Sequence, residues 1–250
     1  MELGAIIGIS AGVFLLGLAI YFILWQKKMF NPLPTGQISV EDPQLQFYAI
    51  KEQSVNFFII TDGLEYIMID CGYGKSSLIS DMEKLKLDPK KISHIFITHA
   101  DLDHIGGRSF FPNAIFHLHE KDMQIIDGTT HRFKNVYKYP KVKHPFELFS
   151  DGENFEVGQM HVKTIATPGH TPGSSSFLLN NCYLFTGDTL TLHNGEVHTF
   201  YKFITMDMGS QKASIRKLAH LENILFLFSA HTQFTADFGR AMEKWKKSSM

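Results

Sequence analysis

Cysteine is nearly absent: Cys71 and Cys182 are the only two in 250 residues. That scarcity excludes a disulfide-built scaffold and argues against a metal site made of thiolates. One disulfide, or two reduced and mostly buried thiols, both stay open. Net charge is equally scarce, at -1 from 24 basic and 25 acidic side chains. A chain so balanced has no basic footprint for a nucleic acid, and no nucleic-acid partner is expected. Low-complexity tracts are missing as well. What is left, 44% hydrophobic and 20% charged, is ordinary globular composition with length enough for one sizeable core.

Charged side chains are missing altogether from residues 3–25. As a helix such a stretch spans roughly 30 Å, the thickness of a bilayer's hydrocarbon. Lys27 and Lys28 follow it, and Glu2 is the one charged side chain before it. A cleaved signal peptide needs a basic start, a shorter apolar run and a small-residue cleavage site. The sequence therefore predicts a single-pass membrane anchor over residues 1–28, touching the lipid bilayer through residues 3–25. The positive-inside rule puts the lysine side, and the domain beyond it, in the cytoplasm. Gly4, Gly8 and Gly12 lie at helical spacing and suit close approach of two such helices in a homodimer; glycine is also simply common in membrane spans. Residues 29–40, containing Asn31-Pro-Leu-Pro-Thr-Gly36, read as a short stiff linker. Residues 41–250 read as one domain.

Within that domain, strands are expected over residues 45–50, 56–61, 66–70, 92–98 and 114–119. A second set covers 161–166, 175–179, 183–186 and 224–229, with a hairpin turn at Asn180-Asn181. Helical spacing marks residues 76–87, 211–221 and 236–246. Strands mixed with helices in two successive halves imply two sheets packed face to face with helices outside, a mixed α/β sandwich.

The segment Thr98-His-Ala-Asp-Leu-Asp-His-Ile-Gly-Gly107 carries the chemistry. His99, Asp101, Asp103 and His104 fall within six positions at the end of an apolar strand. So many ionisable groups there are costly unless a cation sits among them. His99 and Asp101 share one side of the strand end; Asp103 and His104 lie past the turn and can reach a second position. His170, Asp188 and His231 occupy three further strand ends. Seven imidazole and carboxylate ligands make the inventory of a two-metal site with a bridging carboxylate.

This constellation resembles the metallo-β-lactamase-fold hydrolases, over nearly the whole of the domain that follows the expected anchor, from Tyr66-Ile-Met-Ile-Asp-Cys-Gly72 to His231. The resemblance implies a four-layer αββα sandwich with the site at one edge of the two sheets. It implies that His99, Asp101 and His170 hold one metal, that Asp103, His104 and His231 hold the other, and that Asp188 bridges. Asp70 matches an aspartate that supports a ligand histidine. Asp103 matches the residue that orients the nucleophile or carries a proton, and is the candidate catalytic group. One position departs: the usual H-x-H-x-D-H is here H-x-D-x-D-H, with Asp101 in place of histidine. Two divalent ions are expected, zinc first; the harder carboxylate ligand suits manganese or iron better than imidazole would.

Such a pair of ions lowers the pKa of a shared water toward about 7. The expected activity is therefore hydrolysis of a small-molecule substrate, an ester, thioester or lactone, by a metal-bound hydroxide. A phosphodiesterase on the same site, a non-catalytic metal-binding module and a mononuclear iron oxygenase are the alternatives. His193 and His198 follow Asp188 in an expected loop bordering the site and are candidate substrate contacts. The remaining histidines, His117 and His119 among them, read as structural. Gly72-Tyr-Gly-Lys-Ser76 has a faint look of a phosphate loop but lacks its first glycine, since position 69 is Ile69. It reads as a strand-to-helix turn.

Overall fold

Seven consecutive buried residues, Val55–Thr61, form strand β3. Side chains alternate across a strand, so its two faces enter different surroundings. Phe58 and Ile60 join one apolar cluster, and Phe57 and Ile59 join another. A strand buried on both faces needs a packed layer on each side.

The computed structural model supplies those layers. It describes residues 16, 17, 20, 29–132 and 145–247. Contacts divide the chain into residues 1–31 and 32–250. In the first unit the described residues 16, 17, 20 and 29 are helical. The rest of the expected anchor, including Gly4, Gly8 and Gly12, lies outside the described residues. Among those described, no helix is long and apolar enough to cross a membrane.

In the second unit, β1 (Gly36–Ile38), β2 (Gln46–Glu52), β3, β4 (Tyr66–Ile69), β5 (Ile92–Ile97), β6 (Ile115–His119) and β7 (Glu147–Phe149) make one sheet in chain order. Pairing is antiparallel from β1 to β4 and parallel from β4 to β7. The other large sheet contains β8 (Asn154–Val157), β9 (Met160–Ala166), β10 (Ser175–Leu179), β11 (Tyr183–Phe185), β14 (Phe226–Phe228) and β15 (Phe234–Thr235), in the order β15-β14-β11-β10-β9-β8. Between its members runs a separate hairpin of β12 (Leu190–His193) and β13 (Glu196–Thr199). The helices are α1 (Ser77–Lys84), α2 (Leu102–Ile105), α3 (Met123–Ile126), α4 (Met208–Ala219) and α5 (Phe238–Lys247).

Three apolar clusters hold the layers together. Phe47, Phe58, Phe96, Phe177, Phe185 and Phe228 interdigitate between the two sheets. Leu78 and Met82 of α1 cover the outer face of the first sheet. Ile215 and Leu218 of α4, with Phe238, Met242 and Trp245 of α5, cover the outer face of the second. Each fully buried side chain of this size stabilises the fold by roughly 1.5–3 kcal/mol. The result is the expected αββα order.

Two expectations are corrected. The linker over residues 29–40 is folded onto the domain from residue 32 on. Leu33 is buried, its N–H donates to Asn56 Oδ1 (2.6 Å), and its carbonyl accepts from Asn56 Nδ2 (2.9 Å). Ile38 then adds an edge strand, because Leu33 and Ile38 both find the inter-sheet cluster. The loop expected after Asp188 is instead the β12–β13 hairpin. Its turn is Asn194-Gly195, with both residues at positive φ (53° and 76°), the conformation that a two-residue hairpin turn demands.

Candidate metal centre

The strands β4, β5, β9, β11 and β14 all end at one edge of the sandwich, and each delivers a polar side chain there. β4 leads into Asp70, β5 into His99, β9 into the loop carrying His170, β11 into Asp188 and β14 into His231. The helix α2 directly follows β5 and turns Asp103 and His104 inward. That turn needs Gly106 and Gly107. A Cβ on Gly107 would collide with the Cys71 carbonyl oxygen, and one on Gly106 with the Tyr73 carbonyl oxygen. Two loops therefore pack backbone against backbone beneath the ligands.

The seven expected ligands come together. Three groups each keep one ligand atom per residue within 4.8 Å of the others: His99, Asp101 and His170; His99, His104 and Asp188; Asp103, His104 and His231. Asp188 faces both ways. Its Oδ2 lies 3.9 Å from His99 Nε2 and 3.5 Å from His170 Nε2, and its Oδ1 lies 3.6 Å from His104 Nε2 and 3.3 Å from His231 Nε2. Asp103 Oδ2 is 3.6 Å from His104 Nε2 and 3.3 Å from His231 Nε2.

The imidazoles are aimed by what their other nitrogens touch. His104 Nδ1 donates to Asp70 Oδ2 (2.8 Å), and His231 Nδ1 donates to the Ser54 carbonyl (2.6 Å). His99 Nδ1 donates to Thr98 Oγ1 (3.0 Å), whose own hydroxyl donates to Asp70 Oδ2 (2.8 Å). Each arrangement leaves Nε2 facing the cluster. Asp70 also accepts from the Thr98 N–H (2.7 Å). To do this it adopts φ 61°, a left-handed conformation that an aspartate enters at some cost.

The donor set fits a cation. His99 Nε2, His104 Nε2, Asp101 Oδ1 and Asp188 Oδ1 are buried without a hydrogen-bond partner. Leaving such atoms bare costs about 1–3 kcal/mol each, more for charged groups. Electrostatics points the same way. Burial alone would strip the proton from His104, but Asp70, Asp103 and Asp188 outweigh it and push the imidazolium up to about 9. His231 is raised well above its usual value, burial again being overcome by Asp188 and Asp103. Burial opposes the ionisation of Asp188, yet His231 and His104 hold it far below the usual carboxylate range. Protons on two histidines thus stand where a cation would, and uptake of a cation releases them.

Several residues of the centre carry no local signal in the sequence. Arg132 is buried, with one guanidinium nitrogen 2.6 Å from Asp101 Oδ2 and 2.9 Å from His170 Nε2. Asp122 is buried and ties the two ligand loops together. It accepts from Ala100 N–H (2.8 Å), Thr171 Oγ1 (2.9 Å) and Gly173 N–H (2.7 Å). Glu52 accepts from the N–H groups of Tyr73 (2.7 Å), Gly74 (3.2 Å) and Lys75 (3.0 Å). The loop that faintly resembles a phosphate cradle therefore does close on an anion, but on the protein's own carboxylate.

Phe200 packs its ring against His170 (centroids 5.0 Å apart) and His231 (5.4 Å). Neighbouring Tyr201 is pushed up to about 12 by burial and by the charge of Asp188. His193 and His198 are not brought into the ligand cluster. They sit on the β12–β13 hairpin, rings 5.8 Å apart, with His193 Nε2 3.4 Å from the Tyr201 hydroxyl.

Fold and donor set together define a class: an αββα sandwich whose two sheets share a cluster of metal-binding side chains at one edge. The chain belongs to the metallo-beta-lactamase superfamily, whose family model matches residues 50–231. That fold implies divalent-metal binding, and the three groups above are its candidate ligands. Among curated proteins it is similar to Glyoxylase B2 of Dictyostelium discoideum, 30% identical over 165 residues, covering 62% of this chain and 52% of that protein. It is also similar to an atrochrysone carboxyl ACP thioesterase of Aspergillus fumigatus, 32% identical over 146 residues, covering 56% of this chain and 41% of the relative. The chain thus spans about half the length of these relatives. Among solved structures, a subclass B3 metallo-beta-lactamase with an active-site glutamic acid superposes with a TM-score of 0.66 at 20% identity, covering 90% of each chain. At that identity the likeness concerns the fold.

Proposed function

We propose that the chain is a metal-dependent hydrolase of a small ester, thioester or lactone. One observation carries this reading: the two oxygens of Asp188 face two separate groups of histidine nitrogens, as a carboxylate shared by two cations must. His99, Asp101 and His170 would hold one ion, Asp103, His104 and His231 the other, with Asp188 common to both. When bound, such ions polarise a carbonyl oxygen and acidify water enough for it to ionise near neutral pH.

The chain's own residues do the rest. Asp103 keeps 19% of its side chain exposed, against 8% for Asp101 and 4% for Asp188. It is the carboxylate best placed to meet incoming substrate and to take a proton at its oxygen. Phe200 walls the site on the side of His170 and His231 and keeps water from those nitrogens. The near-neutral chain offers no electrostatic hold on a polyanion. The relatives named as a thioesterase and a glyoxylase support the same reaction class.

The test combines elemental analysis with a substrate panel. Purified full-length chain should contain up to two equivalents of divalent metal, zinc first, and should cleave nitrophenyl esters or thioesters in preference to nitrophenyl phosphodiesters. Preference for phosphodiesters would replace the substrate class. Metal without any turnover would leave a binding module, and one iron with oxygen uptake would leave an oxygenase.

A further inference from the structure

Arg132 is the one permanent cation that touches the ligand cluster among the described contacts, and it does not touch it at random. A single guanidinium nitrogen reaches Asp101 Oδ2 (2.6 Å), His170 Nε2 (2.9 Å) and the Ile204 carbonyl (2.9 Å); the other reaches the His170 carbonyl (2.7 Å). Guanidinium nitrogens only donate. His170 Nε2 also lies 3.0 Å from Asp101 Oδ2, so the guanidinium nitrogen closes a triangle with one ligand atom of each residue. A guanidinium nitrogen and a metal ion cannot both stand against those two ligand atoms.

A plain ion pair accounts for less. An arginine present only to neutralise Asp101 would favour the two-pronged geometry on both carboxylate oxygens. Here Asp101 Oδ1 stays buried and without a hydrogen-bond partner, while the guanidinium spends a contact on the histidine. Among the described residues, no such cation lies against Asp103 or His104. Asp103, His104 and His231 are backed by Asp70 and the Ser54 carbonyl, both of which favour positive charge.

We propose that Arg132 is a built-in competitor for one of the two cation positions, so that the centre fills in order. The Asp103–His104–His231 position fills first. The His99–Asp101–His170 position fills second and more weakly, because a cation there must displace Arg132 from Asp101 and His170 and sit beside its charge. The substitution of aspartate for histidine at position 101 belongs to the same device, since it supplies the carboxylate that holds the arginine in place. This inference rests on the metal-centre reading above.

Calorimetric titration of the full-length chain, stripped with a chelator and then given zinc alone, tests it, with bound zinc counted in parallel. The wild-type chain should take one equivalent tightly and a second at least about tenfold more weakly. Arg132→Gln should tighten the second step by about 10- to 100-fold, the usual scale for a change beside metal ligands, and leave the first step unaltered. His170→Ala should abolish the second step only. Two equivalents of equal affinity in the wild type, an Arg132→Gln second step that is unchanged or weaker, or loss of the tight step in His170→Ala would each overturn the proposal. If circular dichroism shows Arg132→Gln unfolded, Arg132→Lys takes its place. One ammonium cannot make all four contacts, so the second step should still tighten, and no change would count against the proposal. Heat and bound zinc are read without turnover, so the filling order stands or falls apart from the hydrolase reading.

Discussion

A ligand histidine is only as good a ligand as the group behind it, and Asp70 shows how much of this centre depends on that rule. It supports His104 directly and His99 through the Thr98 hydroxyl, and it accepts the Thr98 N–H besides. Removing its charge should therefore weaken metal binding without touching a ligand. Asp70→Asn is the suitable variant, because asparagine tolerates the left-handed backbone at φ 61° as aspartate does. Zinc affinity, measured against a competing chelator, should fall by about 10- to 100-fold while the far-ultraviolet circular dichroism stays the same. An unaltered affinity would mean that Thr98 and packing suffice to aim both rings. Residues of this kind divide by whether their chemistry is written locally. His99, Asp101, Asp103 and His104 lie in one short segment, and each other candidate ligand follows an apolar run, so the clustering of all seven could be expected from the chain. Arg132 is 31 positions from Asp101 and 38 from His170 and sits in no motif, so only the fold could bring it to them. Asp122 is hidden for the same reason.

Elements were legible in proportion to their length and burial. The strands over residues 55–61, 92–97 and 175–179 are largely apolar and mostly buried, and the expected bounds meet them to within a residue or two. The edge strands β1 and β7 are three residues each, too short for alternation to show. The β12–β13 hairpin hides for a different reason: Asn194-Gly195 is a strong turn signal, but each arm has only four residues, with a histidine in each. Strand pairing also explains histidines that have no part in the metal centre. His94 and His117 stand on neighbouring strands β5 and β6, with His94 Nδ1 2.8 Å from His117 Nε2. His117 stacks on Phe96 and packs against Phe155 (centroids 4.7 Å from each). Burial, reinforced by His94, lowers its pKa from 6.5 to about 4. A histidine whose folded pKa is depressed stabilises the fold above its unfolded value and loses that contribution as pH falls through its folded value. Between pH 6.5 and 4 the unfolded chain binds the extra proton, so stability drops, by up to about 3 kcal/mol for a shift of this size. Urea unfolding of the metal-free chain at pH 7 and pH 4.5 should show this loss, and His117→Gln should show a shallower one. Equal slopes for the two proteins would place the acid sensitivity elsewhere.

On the scale of the whole molecule, the centre joins the two sheets as well as serving chemistry. Each of the three ligand groups draws from both halves: His99, Asp101, Asp103 and His104 follow a strand of the first sheet, and His170, Asp188 and His231 follow strands of the second. The direct backbone links at this edge are few, such as Ser175 N–H to the Thr98 carbonyl (2.8 Å) and Asn56 N–H to the Ala230 carbonyl (2.6 Å). Without a cation, three ligand carboxylates and two protonated histidines face one another across the seam, and several of their atoms are buried without partners. An ion seated in any one group binds side chains from both sheets, and the unfolded chain offers no such assembled group. Metal must therefore stabilise the native state against separation of the sheets. At a free concentration 100 times the dissociation constant, one bound ion contributes about 2.7 kcal/mol. For a domain of this length that amounts to a rise of roughly 5–10 °C in melting temperature. Differential scanning calorimetry of the chain with chelator and with excess zinc should show a rise of that order, and Asp188→Ala, which removes the carboxylate common to both positions, should abolish most of it. A melting temperature indifferent to chelator would mean that the inter-sheet core of Phe58, Phe96, Phe177 and Phe185 holds the sandwich closed by itself, with the centre a passenger on its edge.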